Sequence, residues 1–304
     1  MSYGALLQTY ALSKFLENLG HTVKVIDYQP MYDFLNFRGL TSKWYGMYPG
    51  NFVNLWQSFL FQRATRRWLP LTKKRYRTLG ALQAHLSGFE AYICGSDQIW
   101  NPYFTNADSA YFCNFGEKSA KRIAYAGSFG TPSVPKDFYP LFKKHFGTLD
   151  AISSREESGC KLVQNISGRT CTWVLDPSLL LDAESYAPLF HNQRKIKSPY
   201  ILVFSIQKSP LLGKVLDVVK ATVPIRFVFV DNNWQGRRFW GKRYICCAPG
   251  TWLNLIASAD AVVTNSFHGT AFAINFSKPF VSFGLTGDHK CKNTRITELL
   301  DALD

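Results

Sequence analysis

Apolar and polar positions along the chain alternate between two patterns, one typical of strands and one typical of helices. In the first twenty residues, apolar side chains recur every three or four positions, which predicts a helix from about Ala5 to Gly20. Strand patterns follow at "HTVKVIDY", "AYIC", "RIAYA" and "AISSR", and a helical pattern begins near "EESG". This alternating order predicts an α/β fold with parallel sheets, in which the functional loops follow the carboxyl ends of the strands.

The second half of the chain repeats this layout after a polar stretch. "TWVLDPSLLLD" predicts a strand that closes the first half, and we expect the boundary between residues 183 and 198. The predicted domains are residues 1–183 and 184–304, both Rossmann-like, with their loops lining a common cleft. Further strands are predicted at "YILVFS", "RFVFVDNN", "DAVVTN" and "FVSF", and further helices at 208–221 and at "TWLNLIAS".

The beginning of the chain is unusual for this fold class. "SYGALLQTYAL" starts with Tyr3-Gly4-Ala5, which resembles the turn that normally leaves a strand, but no strand precedes it. We expect that a first N-terminal strand is missing from the chain.

Composition narrows the class of protein. The chain has 304 residues and 46% apolar residues, enough for about two domains. No apolar run approaches the ~20 residues of a membrane span, and the N-terminus lacks the zones of a signal peptide, so we expect a cytoplasmic protein. The seven cysteines form no CxxC pair and are odd in number, which argues against a disulfide framework and a zinc-thiolate site. We interpret them as mostly buried thiols.

The charge balance favours an anionic partner. Lysine and arginine number 35 against 21 acidic residues, a net charge of +14. No nucleic-acid-binding motif is present, so we do not expect nucleic acid. Much of the charge lies in the basic segment 62–77, where Arg63, Arg66 and Arg67 continue a stripe of apolar residues at helical spacing: Phe52, Leu55, Trp56 and Phe59. This pattern indicates a packed helix with a solvated end, or contact with an acidic saccharide or an anionic membrane surface.

Two predicted loops of the first half carry candidate chemistry. In "GSDQ", Gly95 permits close backbone approach and Asp97 can accept a proton or bind a sugar hydroxyl; the structural alternative is a turn or helix cap. In "SSREESG", Arg155 follows a strand, where its guanidinium can bind phosphate or carboxylate at two points. The structural alternative for Arg155 is a surface salt bridge with Glu156 or Glu157.

Two loops of the second half are also candidates. "NSFHGTAF" places Ser266 and His268 where a strand gives way to a helix, and Gly269 allows close approach to an anion at the helix start. "GDHKCKNTR" follows the strand "FVSF", and its basic residues either bind an anion or are solvated. These basic residues are Lys290, Lys292 and Arg295.

The same loops carry a family resemblance. In this order, "SYGALLQTYAL", "YICGSDQIWN", "SREESG", "LDPSLLL" and "NSFHGTAFAINFSKPF" resemble the polysaccharide pyruvyl transferase family over nearly the whole chain. The resemblance implies two facing Rossmann-like domains, similar to GT-B glycosyltransferases. It also implies transfer of pyruvate from phosphoenolpyruvate to two hydroxyls of a sugar, as a ketal, on a polysaccharide or its lipid-linked precursor. Neither a metal nor an organic cofactor is implied.

The resemblance also suggests roles for individual residues. His268 is the expected proton donor, and Asp97 the group that orients or deprotonates an acceptor hydroxyl. Trp100 and Tyr103 are expected to stack on the sugar. The expected donor-binding residues are Arg155, Ser266, Gly269, Lys290, Lys292, Arg295, Tyr3 and Gly4, and the other acceptor-binding residues are Gly95, Ser96, Gln98, Asn101 and Ser128.

Two departures from the family pattern leave alternatives open. Another branch has an arginine two places before the histidine, where this chain has Ser266. Both ends also look shorter than in relatives. The alternatives are a GT-B-type glycosyltransferase that uses a nucleotide sugar and a saccharide-binding relative without catalysis.

Overall fold

The computed structural model describes residues 2–30, 49–190, 199–207, 209–230, 241–244, 247–287 and 293–303 of the chain, with side chains in the helix from Pro49 described from Leu55 onward. The strands are β1 Val25–Tyr28, β2 Leu71–Tyr76, β3 Ala91–Cys94, β4 Lys121–Gly127, β5 Ala151–Ser154, β6 Thr172–Trp173, β7 Ile201–Phe204, β8 Phe227–Val230, β9 Gly241–Tyr244, β10 Ala261–Thr264 and β11 Phe280–Ser282. The helices are α1 Tyr3–Asn18, α2 Pro49–Trp68, α3 Leu79–His85, α4 Pro102–Thr105, α5 Tyr139–Phe146, α6 Glu157–Ser167, α7 Ala183–Tyr186, α8 Pro210–Thr222, α9 Pro249–Ala257, α10 Phe267–Asn275 and α11 Thr294–Asp301.

The chain forms two compact units that are discontinuous in sequence. The unit with the larger sheet draws its described residues from Met1–Tyr3, Lys43–Trp68 and Leu181–Ile296. The other draws them from Gly4–Ser42, Leu69–Leu180 and Thr297–Asp304. The predicted domains are two continuous stretches instead, and their boundary stays a prediction.

The larger sheet has five parallel strands in the order β11-β10-β7-β8-β9. Strand order therefore reverses between β7 and β10, as in Rossmann folds, and the two neighbours pair in register from Ile201↔Ala261 to Phe204↔Thr264. β7 and β8 are buried along their whole length because helices cover both faces of such a sheet. This unit thus has a topological switch point, where α/β proteins commonly bind ligands.

The smaller unit contains a four-stranded parallel sheet in the order β3-β4-β5-β6 and a separate parallel pair of β1 and β2. Its core includes a cluster of aromatic rings around Trp100, which lies edge-on to Phe146 at a centroid distance of 5.0 Å. Phe112, Phe129 and Phe142 complete this cluster. The four strands show no reversal of order, so this sheet has no switch point among its described strands.

The α/β class and most strands are confirmed, but "TWVLDPSLLLD" was wrongly predicted as a strand. Only Thr172–Trp173 is a strand there, because Asp176 caps a short 3₁₀ helix at Pro177–Leu179. The sequence patterns also missed β2 and β9, whose lysines and arginines hide the strand periodicity. Of the five cysteines described, Cys94, Cys113 and Cys247 are buried.

Candidate functional site

The carboxyl ends of β3, β4 and β5 meet at one edge of the four-stranded sheet, around a buried arginine. The Arg155 side chain is fully buried and forms ion pairs with Asp176 at 2.8 Å and Glu156 at 2.9 Å. A third carboxylate, Asp97, lies 3.5 Å from it. Burial alone lowers the pKa of Arg155, but the attraction of the three carboxylates outweighs it and raises the pKa, so the guanidinium remains protonated.

Serine hydroxyls complete this buried network. Ser96 donates to Asp176 at 2.6 Å and accepts from Arg155 at 3.1 Å. Ser128 donates to Glu156 at 2.9 Å. Asp176 also accepts from the backbone and hydroxyl of Ser178, at 2.9 and 2.7 Å, so this buried carboxylate is fully hydrogen-bonded. Such satisfaction is what makes a buried ion pair tolerable.

Arg155 therefore pairs with Glu156, as the structural alternative predicted, but in the core and not at the surface, which corrects its predicted role. It contacts neighbouring carboxylates instead of emerging to bind a phosphate. Three carboxylates around one guanidinium leave an excess of negative charge, which repels an anionic donor. Glu156 was predicted only as an ion-pair partner, and Asp176 was not predicted, although an aspartate before Pro-Ser is a recognisable capping signal.

Asp97 is the one member of the network with an accessible side chain. That side chain is 27% exposed, and its backbone is left-handed with a φ of 70°. Such a conformation is strained for a residue other than glycine and occurs often at functional sites. The Asp97 carbonyl accepts from Ile99 at 2.8 Å and from Ser128 at 3.1 Å, which fixes the turn. The backbone that carries this carboxylate is thus held in place by hydrogen bonds.

The other predicted acceptor residues divide into exposed and buried groups. Tyr103 is 71% exposed, and Gly95 and Gln98 are half-buried, so all three are accessible. Trp100 is fully buried in the aromatic core, which corrects its predicted stacking on a sugar. Ser96, Asn101 and Ser128 are buried as well, and their side chains hydrogen-bond within the protein.

Gln8 is a residue that the sequence analysis did not single out, although it lies in the quoted "SYGALLQTYAL". Its side chain is buried, and its Oε1 has no hydrogen-bond partner among the described residues. A Cβ built on Gly95 would lie 3.3 Å from this oxygen. A buried acceptor without a protein partner is uncommon, and this one lies beside the "GSDQ" turn that follows β3.

The second cluster lies at the switch point of the five-stranded sheet. Asn265 bridges the ends of β10 and β7: its Oδ1 accepts from the Ile206 backbone at 2.9 Å, and its Nδ2 donates to the Gln207 carbonyl at 3.0 Å. His268 lies in the first turn of α10, directly after β10, and is 8% exposed. A helix start at a switch point is a favourable place for an anion.

Neighbours of His268 have structural tasks of their own. Ser266 caps α10 by accepting from the Gly269 backbone at 3.3 Å. A Cβ on Gly269 would lie 2.4 Å from the Thr264 Oγ1, so this glycine lets the helix pack on β10. Its role in the close approach of an anion stays a prediction. Arg295 is buried in the first turn of α11, while Lys290 and Lys292 lie outside the described residues.

Tyr3 and Gly4, predicted to bind the donor, are buried in the first turn of α1. Tyr3 donates to the Cys247 carbonyl at 2.8 Å and stacks on Trp252 at 5.0 Å. Its hydroxyl and ring are therefore engaged in the core, which corrects the prediction for this residue. Within the described ranges, no group of three His, Cys, Asp or Glu side chains is placed to hold a metal ion.

The sequence profile of the family described as polysaccharide pyruvyl transferase matches residues 3–286. The chain belongs to the polysaccharide pyruvyl transferase family. Both clusters lie within the matched region, at strand ends whose motifs suggested the resemblance. A search of curated proteins found no match.

Solved structures of low similarity cover nearly the whole chain. A UDP-GlcNAc 2-epimerase from Neisseria meningitidis bound to UDP-GlcNAc is 10% identical, with a TM-score of 0.45 over 99% of this chain and 89% of its own. A putative UDP-N-acetylglucosamine 2-epimerase from Listeria monocytogenes is 10% identical, with a TM-score of 0.49 over 100% and 86%. The S. aureus MnaA-UDP co-structure is 9% identical, with a TM-score of 0.46 over 99% and 85%.

Proposed function

We propose that this transferase moves the pyruvyl group of phosphoenolpyruvate to two hydroxyls of a sugar in a polysaccharide or its lipid-linked precursor. The observation that carries the proposal is the family match over residues 3–286, within which a histidine lies at a sheet switch point. The products would be a cyclic ketal and inorganic phosphate. The chemistry requires protonation of an enol carbon and expulsion of a phosphate, and it needs no metal or organic cofactor.

The donor is proposed to bind at the start of α10, beside His268. Backbone N–H groups and the positive end of a helix dipole attract a phosphate or carboxylate there. This unit lacks a carboxylate cluster like the one around Arg155 among its described residues, so an anion meets no comparable repulsion. Lys290, Lys292 and Arg295 remain the proposed cationic partners.

His268 is proposed to act as the general acid. It would give its proton to the methylene carbon of phosphoenolpyruvate, which becomes the methyl group of the ketal. One sugar hydroxyl forms a C–O bond to the central carbon, and the bond from that carbon to the phosphate oxygen breaks. The second hydroxyl closes the ring. One hydroxyl proton leaves with the phosphate and the other returns to His268.

The acceptor is proposed to bind at the edge of the four-stranded sheet. Asp97 would accept a hydrogen bond from a sugar hydroxyl, and the exposed ring of Tyr103 offers a stacking surface. Arg155 acts through Asp97 as a positioning residue, since it is buried away from solvent.

Phosphate release from phosphoenolpyruvate in the presence of an acceptor tests these roles. Replacing His268 by Asn should lower turnover by roughly 10²- to 10⁴-fold, the usual worth of general acid catalysis. The wild-type rate should fall as pH rises and His268 loses the proton that it is proposed to donate. His85→Asn is the matched control, because His85 is exposed on α3.

Several results would count against the assignment. If His268→Asn retains most of the wild-type rate, His268 is structural. If phosphoenolpyruvate is never consumed but a nucleotide sugar is, the protein is a glycosyltransferase. We place the reaction in the cytoplasm, at the membrane face where a lipid-linked acceptor would be held.

A further inference from the structure

One face of α2 exposes an apolar cluster that has no counterpart on the opposite face. Leu55 is 67% exposed, Trp56 56% and Phe59 51%, and the two aromatic rings stack at 5.5 Å. Phe61 and Ala64, on the other side of the helix, are buried. The helix is thus anchored by its far side, and its exposed apolar face is not needed for the core.

Three arginines adjoin this cluster one turn further along. Arg63, Arg66 and Arg67 are exposed and follow Phe59 at spacings of four, seven and eight residues, which keeps them on the same side of the helix. Together with Phe59 and Gln62 they line an open hollow of about 400 Å³. None of the three arginines forms an ion pair with any described residue.

We propose that this face, formed by Leu55, Trp56, Phe59, Arg63, Arg66 and Arg67, docks on an anionic lipid surface. Aromatic and aliphatic side chains insert at the boundary between head groups and acyl chains, and adjacent arginines bind lipid phosphates. A helix that lies flat on the membrane needs this division between an apolar part and a basic part. Among the described residues, no helix is both long enough and apolar enough to cross a membrane, so this contact would be peripheral.

Charge decides between this occupant and a second copy of the chain. Two copies meeting through this face would bring two sets of unpaired arginines together, which is unfavourable. An acidic saccharide would satisfy the arginines but needs no exposed leucine. A lipid surface satisfies both parts. The proposed contact is thus one side of α2, in place of the whole segment 62–77 predicted from sequence. This proposal does not depend on the donor that the enzyme uses.

Sedimentation of the full chain with vesicles tests the proposal. The protein should bind vesicles that contain phosphatidylglycerol, bind phosphatidylcholine vesicles weakly, and dissociate as salt increases. Replacing Arg63, Arg66 and Arg67 together by Gln should weaken binding on the order of 100-fold, from about fivefold per arginine near an anionic surface. Trp56→Ala with Phe59→Ala should weaken binding at every salt concentration. Lys118, Lys136 and Lys143, all exposed, provide the matched control when replaced together by Gln.

Four other outcomes would contradict the proposed membrane contact. If the triple lysine variant loses as much binding as the triple arginine variant, the net charge of the protein explains the effect and the position of the arginines does not. If all variants bind phosphatidylglycerol and phosphatidylcholine vesicles equally, the arginines have no role in membrane binding. If Trp56→Ala with Phe59→Ala turns a dimer into a monomer in ultracentrifugation, the face is an interface between copies. If soluble alginate binds this face and phosphatidylglycerol vesicles do not, its partner is an acidic saccharide. Sedimentation requires no turnover, so failure here leaves the proposed transferase reaction untouched.

Discussion

The two sheets of this chain end in opposite chemistry. In the four-stranded sheet, the strand ends hold a buried arginine among three carboxylates, and strand order does not reverse. In the five-stranded sheet, strand order reverses and the end of β10 carries the uncharged polar residues Thr264, Asn265 and Ser266, followed by His268. In both sheets the loops that follow the parallel strands lie at one edge, but the charge at that edge differs. On this basis we propose that the acidic edge binds sugar hydroxyls and that the uncharged edge, where a helix begins, binds an anion.

The largest effect on stability should come from breaking the charge network. Asp176→Ala leaves the buried guanidinium without its closest partner, and loss of one partner of a buried pair typically costs about 3–5 kcal/mol. Urea unfolding of the variant measures this loss. Glu17→Ala, which removes a partly exposed ion pair with Lys14, is the control and should cost less than about 1 kcal/mol. Similar costs for the two variants would show that the network is not a stabilising unit.

A second prediction concerns packing at the uncharged edge. Gly269→Ala would bring a methyl group within 2.4 Å of the Thr264 Oγ1 and should cost about 1–3 kcal/mol. Thr264→Ala should recover part of that loss in the double variant, since the two residues are in contact. Gly80→Ala on α3, where a Cβ meets nothing within 4 Å, is the matched control and should be neutral or stabilising. If the double variant is no more stable than Gly269→Ala alone, the contact with Thr264 does not cause the loss of stability.

A buried histidine in the smaller unit predicts a dependence on pH. His145 is 6% exposed, stacks on Phe112 at 4.7 Å and lies 2.9 Å from the Asn114 amide. Burial, with the nearby Lys144, lowers the pKa of His145, although Asp108 opposes this effect. The unfolded chain therefore binds the proton more readily, so stability should be complete above the ordinary ~6.5 and fall as pH drops below it.

Thermal unfolding at a series of pH values measures this contribution. His145→Gln should show a flatter profile between about pH 5 and 7. An unchanged profile would assign the acid sensitivity elsewhere. This measurement also sharpens the test of His268, because a rate lost through acid unfolding can then be separated from a rate controlled by the proposed general acid.

The smallest expected effect concerns a pair of thiols beside the charge network. Cys160 and Cys171 have sulfur atoms 2.7 Å apart, and the hydrogen bond from Cys171 lowers the pKa of the Cys160 thiol. Cys160 should therefore react with iodoacetamide faster than the buried Cys94 and Cys113. Cys171→Ala should slow that reaction at neutral pH, and the difference should vanish above about pH 9, past the ~8.5 reference value. If Cys171→Ala leaves the rate of Cys160 alkylation unchanged, Cys171 does not lower the pKa of the Cys160 thiol.

Strand periodicity and loop motifs were sufficient to predict the α/β class, the central strands and the family. Burial and pairing were harder to predict. Trp100 and Arg155 both follow strands, where a side chain can be either exposed or buried. Only the packed structure shows that the Trp100 ring lies in the core and that the Arg155 guanidinium lies among carboxylates. Asp176 lies 80 residues from Ser96, its hydrogen-bond partner, so no local pattern connects them.

Edge strands and short caps were missed for a different reason. β9, at the edge of its sheet, has the sequence GKRY, in which charged side chains replace the apolar alternation of a buried strand. The helix cap at Asp176 interrupts an apolar run that otherwise resembles a strand. Both features depend on contacts distant in sequence or on side-chain hydrogen bonds, which hydrophobic periodicity does not report.

The most direct test of the proposed reaction is transfer of a labelled pyruvyl group. Incubation with phosphoenolpyruvate carrying ¹³C in its methylene group and a set of lipid-linked oligosaccharides should give a product with a new labelled methyl signal. That signal should accumulate in proportion to the phosphate released and disappear in His268→Asn. A wild-type protein that forms no labelled saccharide with any acceptor, yet binds saccharides, would contradict the account and identify a saccharide-binding relative.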